Sequence, residues 1–138
     1  MPCWLCKSDP DEYGWDDLVR EGSTDWTGVR NYAARNHLKA MRKGDHVLFY
    51  HTGNQSAVVG ICRVSKEAFP DPTASEGQWI AVGLKPVKPF RKPVSLQEIK
   101  KEPRLKNMAL VRIGRLSVQP VSEEEFELIL KMGQTSVR

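Results

Sequence analysis

Trp26, Arg30, Asn31, Tyr32 and Arg35 crowd into one short stretch, the densest group of aromatic, amide and guanidinium side chains in the chain. Tyr50 and His51 end an apolar run, and Ser117 and Gln119 sit two apart in another. Together they offer what a flipped nucleobase needs. An aromatic ring gives a stacking surface, amides and hydroxyls read the base edge, and cations outside the pocket take phosphates. Arg30 and Lys39 are the candidates for phosphate contact.

Each residue also has a plainer reading. Trp26 can be core, as Trp4, Trp15 and Trp79 are taken to be. Arg30 and Arg35 can pair with Asp25 or a C-terminal carboxylate, Asn31 can cap a helix, and His51 can be a structural histidine. The residues alone support a small mixed domain with affinity for a polyanion.

Other chemistries lack their signatures. The sequence has no Walker A motif, no GxGxxG after a strand and no GxSxG elbow. No His/Cys/Glu arrangement resembles that of the zinc deaminases. Three cysteines argue against a disulfide framework. Cys3 and Cys6 have CxxC spacing, but residues three apart on a strand point to opposite faces, so the two thiols should diverge. The acidic run Glu123–Glu125 suits a helix start, where the dipole stabilises carboxylates. No cofactor or metal is expected.

The 138 residues are enough for one domain, and a net charge of +4 is a modest basic balance. If nucleic acid is the partner, a local pocket must supply much of the selectivity. No apolar run reaches the roughly 18–20 residues of a membrane span, and no secretory leader is visible. The expected setting is cytoplasmic, or nuclear in a eukaryote, with no membrane partner.

The elements that must position these residues follow from periodicity. Cys3–Lys7 reads as a strand, and Trp15–Glu21 as a helix closed by Gly22, with Tyr13 and Leu18 as its hydrophobic staple. Ala34, Leu38 and Met41 form the apolar stripe of a second helix. His46–His51 and Ala57–Val64 read as a hairpin, and Trp79–Leu84 as an alternating strand. Pro70-Asp71-Pro72 marks a loop. Ser95–Glu98 and Ser122–Glu125 are capping boxes for two later helices. Leu116–Val121 reads as a strand that Pro120 confines to an edge. The order β-α-α-β-β-β-α-β-α predicts an α+β fold, a mixed, partly closed β-barrel with helices packed outside.

The motifs then carry a resemblance. Trp4-Leu5-Cys6-Lys7-Ser8-Asp9-Pro10, the block from Trp26 to Asn36 reading WTGVRNYAARN, Gly44–His51, Phe69-Pro70-Asp71-Pro72-Thr73 and Leu116–Val121 together resemble, in order, the blocks of EVE domains. The resemblance covers nearly the whole chain. It implies a PUA-like fold related to YTH domains, in an EVE domain over residues 1–133 followed by a flexible tail, 134–138. The function it implies is non-catalytic reading of a flipped, modified base, modified cytosine foremost, in DNA or RNA. It carries over Trp26 as the pocket aromatic and Asn31 and Arg35 as polar pocket or support residues. Ser8, Tyr50, His51, Ser117 and Gln119 become candidate lining.

Two departures stand out: Asp9 where Glu is usual, and a short stretch Ala74–Gln78 where relatives carry an insertion. Two other classes remain open. One is an enzyme on a nucleoside or nucleic acid with His51 as general base. The other is a small-ligand or protein-interaction module.

Overall fold

The computed structural model describes residues 2–137. Strand β1, Cys3–Ser8, opens the chain and lies inside a six-stranded sheet. Its run of apolar residues is explained by its position, because both faces of the sheet are covered. Trp4 and Cys6 enter one core, while Cys3 and Leu5 enter the other. The CxxC thiols therefore diverge, as the period of two requires.

Helix α1, Trp15–Glu21, starts at Gly14, whose N–H donates to Asp17 Oδ2 at 2.8 Å, and stops at Gly22 with φ 78°. Strand β2, Thr24–Trp26, follows and pairs antiparallel with a later strand, Trp26 opposite Val82. Helix α2, Tyr32–Ala40, buries Ala34 and Leu38 in the first core, with Met41 just past its end, as the apolar stripe predicts.

Strands β3, His46–His51, and β4, Ala57–Pro70, form the expected hairpin, and β5, Ile80–Ser95, completes the centre of the sheet. Both β4 and β5 run much further than the sequence suggests. Pro86, Pro89 and Pro93 argue against a strand beyond Leu84, yet β5 continues through all three. Repeated register shifts along β4 and β5 accommodate them, as bulges do.

The rest of the chain covers the second face. Helix α3, Leu96–Lys101, and a 3₁₀ turn, Pro103–Leu105, lead to α4, Ala109–Arg112. The edge strand β6, Val118–Val121, and helix α5, Glu123–Met132, follow. Ser95 and Ser122 make their predicted capping boxes. The 3₁₀ turn and α4 are additions to the sequence reading. Past α5, the Thr135 N–H reaches Leu130 O, and half-buried Val137 packs on the second core.

The strand order is β2-β5-β4-β3-β1-β6, with β1 and β3 parallel and the other pairs antiparallel. This corrects the barrel expectation. The fold is α+β, but among the described residues β2 and β6 are open edges and the sheet does not close. No described helix is long and apolar enough to cross a membrane.

Candidate functional site

A cavity of about 400 Å³ opens where three segments converge: the end of β1 with the turn after it, β2 with the loop toward α2, and Ser117 just before β6. The Lys7 N–H donates to Ser117 O at 2.9 Å and fixes the third segment against the first. Pairing of β2 with β5 fixes the second, and so sets where the Trp26 side chain points.

Trp26 is both core and cavity wall. Its ring meets Phe49 edge-on at 5.6 Å and Tyr13 at 6.4 Å, and 9% of the residue stays exposed. The ring is thus rigidly held by packing, and presents a limited surface to the cavity. Truncation of a buried Trp costs about 3–5 kcal/mol, so Trp26→Ala reports on folding as well as binding. Trp26→Phe is the cleaner probe.

Asp71 organises the far wall. Its Oδ2 accepts the Gly28 N–H at 2.8 Å and Arg30 Nη1 at 2.9 Å. Its Oδ1 accepts the Thr73 N–H and hydroxyl, both at 2.7 Å. Burial alone would disfavour the charge. The hydrogen bonds from Thr73, Gly28 and Arg30 outweigh it and hold the carboxyl well below the usual carboxylate range. Gly28 adopts φ 82°, a left-handed turn that glycine enters without strain. That turn and the Asp71 anchor shape the loop carrying Trp26, Thr27 and Arg30.

The lining mixes signs and functions. Ser8, Thr24, Thr27 and Ser117 bring hydroxyls, Asp9, Glu12 and Asp25 bring carboxylates, and Lys7 and Arg30 bring cations. The Ser8 hydroxyl donates to Tyr13 O, and Lys7 Nζ donates to Gly114 O at 2.8 Å. Burial lowers the Lys7 pKa from its ordinary value. The Tyr13 hydroxyl donates to Glu21 at 2.6 Å, and burial with that bond pushes its pKa up to about 12. Among the described residues no group of three His, Cys, Asp or Glu side chains is placed to hold a metal.

Four of the sequence candidates meet here: Trp26, Ser8, Ser117 and Arg30. The others lie elsewhere. Asn31 caps α2, its side chain accepting the Ala34 N–H at 2.9 Å. Arg35 packs outside, its guanidinium bonded to Gln78 O and Asn36 and set 5.0 Å from the Tyr32 ring. Lys39 is exposed on α2, away from the cavity wall.

Tyr50 and His51 are neighbours on a strand and cannot share a face. Tyr50 joins the second core, on the far side of the sheet from Trp26. His51 caps α1: its Nε2 accepts the Trp15 N–H at 3.0 Å, so Nδ1 holds the proton and donates to Gln55 Oε1 at 2.6 Å. Gln119 pairs across from Leu5, is fully buried and donates to Leu116 O at 3.0 Å.

Sequence reasoning missed Lys7, Tyr13, Thr27 and the anchor Asp71. Only Asp71 left a signal, an Asp two residues before a Thr in a proline-bounded turn, which suits an Asx-type bond.

Comparison with known proteins identifies the fold and the family. A protein from Agrobacterium tumefaciens of known structure is 42% identical, with a TM-score of 0.95 over 98% of this chain and 94% of that one. Human THYN1, solved in complex with DNA containing 5-methylcytosine, is 32% identical, with a TM-score of 0.88 over 99% of each chain. A YTH domain from Zygosaccharomyces rouxii, in complex with N6-methyladenosine RNA, shares the fold at 17% identity. Its TM-score is 0.63 over 99% of this chain and 88% of its own. The family model described as the EVE domain matches residues 2–132, and the chain belongs to that family.

Proposed function

We propose that this chain is a non-catalytic reader that takes one flipped, modified base of a nucleic acid into the cavity beside Trp26, with modified cytosine in DNA the first candidate. The observation that carries this reading is the cavity itself. At about 400 Å³ it falls within the range of small-ligand pockets, and it is bounded by a well-packed indole, hydroxyls and carboxylates.

The lining favours a base with an exocyclic amine. Carboxylates accept from cytosine N4, and Asp9, Glu12 and Asp25 supply several at the wall. Hydroxyls of Ser8, Thr27 and Ser117 both donate and accept, so they can serve the ring nitrogen and carbonyl. Trp26, Val29 and the Tyr13 ring give apolar surface against which a methyl group would be desolvated. The relation to human THYN1, seen with 5-methylcytosine DNA, supports the same choice.

Extraction of a base costs a few kcal/mol, and backbone contacts must repay it. Arg30, 40% exposed at the cavity mouth, is placed for a phosphate while its inner edge stays on Asp71. A non-catalytic role is supported by the commitment of His51. Its Nε2, the atom a general base would use, already accepts the Trp15 N–H. The bulged, open sheet with helices packed on it is a PUA-like arrangement in this reading. The protein would act where its nucleic acid lies, in the nucleus of a eukaryote and the cytoplasm otherwise.

Filling the cavity tests the proposal. Ser117 is half-buried at the wall, and Ser117→Phe puts a ring into the space a base would take. The variant should melt like the parent and lose binding to a 5-methylcytosine oligonucleotide. Unchanged binding by a folded variant would place the ligand elsewhere.

A further inference from the structure

Outside the cavity, the most exposed large apolar side chain among the described residues is Tyr32, at 67%. It is not alone. Its ring stacks on Trp79 with centroids 5.1 Å apart and planes 25° from parallel. The Arg35 guanidinium lies 5.0 Å from the Tyr32 ring and 5.9 Å from the Trp79 ring, and the Arg30 guanidinium 5.7 Å from Trp79. Val19, Val87 and Ile113, the other exposed large apolar residues, are aliphatic and form no such group.

The group is continuous with the cavity. Arg30 lines the cavity mouth and at the same time flanks Trp79. A strand whose base enters the cavity from the Arg30 side continues past Trp79 to the Tyr32 ring. Stacked rings flanked by two guanidiniums repel a cationic ligand and suit an anion that carries a flat ring. A nucleotide meets both demands.

We propose that Tyr32 and Trp79 form a stacking platform for the base next to the one held in the cavity, with Arg30 and Arg35 beside the intervening phosphate. This rests on the reading of the cavity as a base pocket. It makes the protein a reader of two consecutive nucleotides, one inserted and one stacked, and favours sites where the strand is unpaired or easily opened.

The test uses the full chain and three probes. They are 5-methyldeoxycytidine monophosphate, a single-stranded DNA oligonucleotide with one central 5-methylcytosine, and the same oligonucleotide with abasic sites on both sides of it. Tyr32→Ala should weaken the intact oligonucleotide by about 5- to 150-fold, the range for loss of one base–aromatic stack. Tyr32→Phe should restore it. Monophosphate binding, which needs only the cavity, should not change. The abasic probe should already be weakened with the parent protein, and Tyr32→Ala should weaken it little further.

Parent-level binding of the intact oligonucleotide by Tyr32→Ala, with Ser117→Phe still inactive, would overturn the platform and leave the cavity reading standing. Equal loss of monophosphate and oligonucleotide would overturn it too, since Tyr32 would then act through the cavity. Binding of no probe by the parent would overturn both.

Discussion

Arg30 Nη1 lies 2.9 Å from Asp71 Oδ2, with the arginine side chain 40% exposed and the aspartate side chain fully buried. A sealed carboxylate thus holds one edge of a guanidinium that also reaches Thr73 Oγ1 at 3.3 Å and still keeps part of its surface in solvent. The same oxygen takes the Gly28 N–H, so one side chain sets both the loop after Trp26 and the charge at the cavity mouth.

Asp71→Asn should therefore lower stability and binding together. Either orientation of the amide turns an NH₂ toward existing donors, and loss of charged, buried hydrogen bonds amounts to about 2–4 kcal/mol. Urea denaturation measures the first effect and oligonucleotide titration the second. Wild-type values in both would remove Asp71 from the account.

The same carboxylate gives a pH dependence of known sign. Its folded pKa is depressed, so its contribution is complete above the unfolded value of about 4 and is lost as pH falls below that. The stability gap between the parent and Asp71→Asn should stay flat from about pH 5 to 8 and narrow in stronger acid. A gap that grows on acidification would contradict the assignment.

His51→Ala should cost about 1 kcal/mol, as a lost helix cap does, and leave nucleic-acid binding near the parent level. His51 takes the first N–H of α1 and is not part of the cavity wall. Thermal melts and titrations check this. Turnover of a modified nucleoside that disappears with His51→Ala would instead give the imidazole a chemical role.

Much of the fold was legible because its signals are local. The two Ser/Glu capping boxes, the Gly22 stop and the Ala34–Leu38–Met41 stripe depend on residues within a turn or two of each other. What failed was non-local. Strand β2 is three residues long and exists through its pairing with β5. The length of β5 was hidden by prolines that only bulges against β4 accommodate. At the site, Trp26 could be named, but the anchoring role of Asp71 could not, since the Gly28 and Arg30 groups it holds lie in a distant segment, and only its local bonds to Thr73 leave a mark in the sequence. Tyr50 and His51 could not both have lined one pocket, on strand parity alone. Trp79, taken as core, is the half-buried member of a surface pair with exposed Tyr32, which lies on another element.

The thiols should be inert in the folded protein. Burial pushes Cys3 up to about 11 and raises Cys6 and Cys62 further, so the reactive thiolate is scarce at neutral pH. An aromatic disulfide reagent at pH 8 should label none of them until denaturant is added. Rapid labelling of the native protein would show that one of the two cores opens.

The most direct measurement is equilibrium binding of two DNA oligonucleotides identical except for one methyl group, cytosine against 5-methylcytosine, at low and physiological salt. A methyl packed against the apolar part of the wall, Trp26, Val29 and the Tyr13 ring, is worth about 10-fold or more in affinity. That preference should survive the rise in salt while both affinities fall, since phosphate contacts are screened and pocket contacts are not. Equal affinity for the two oligonucleotides at both salt concentrations would contradict the claim that the cavity beside Trp26 reads a modified cytosine.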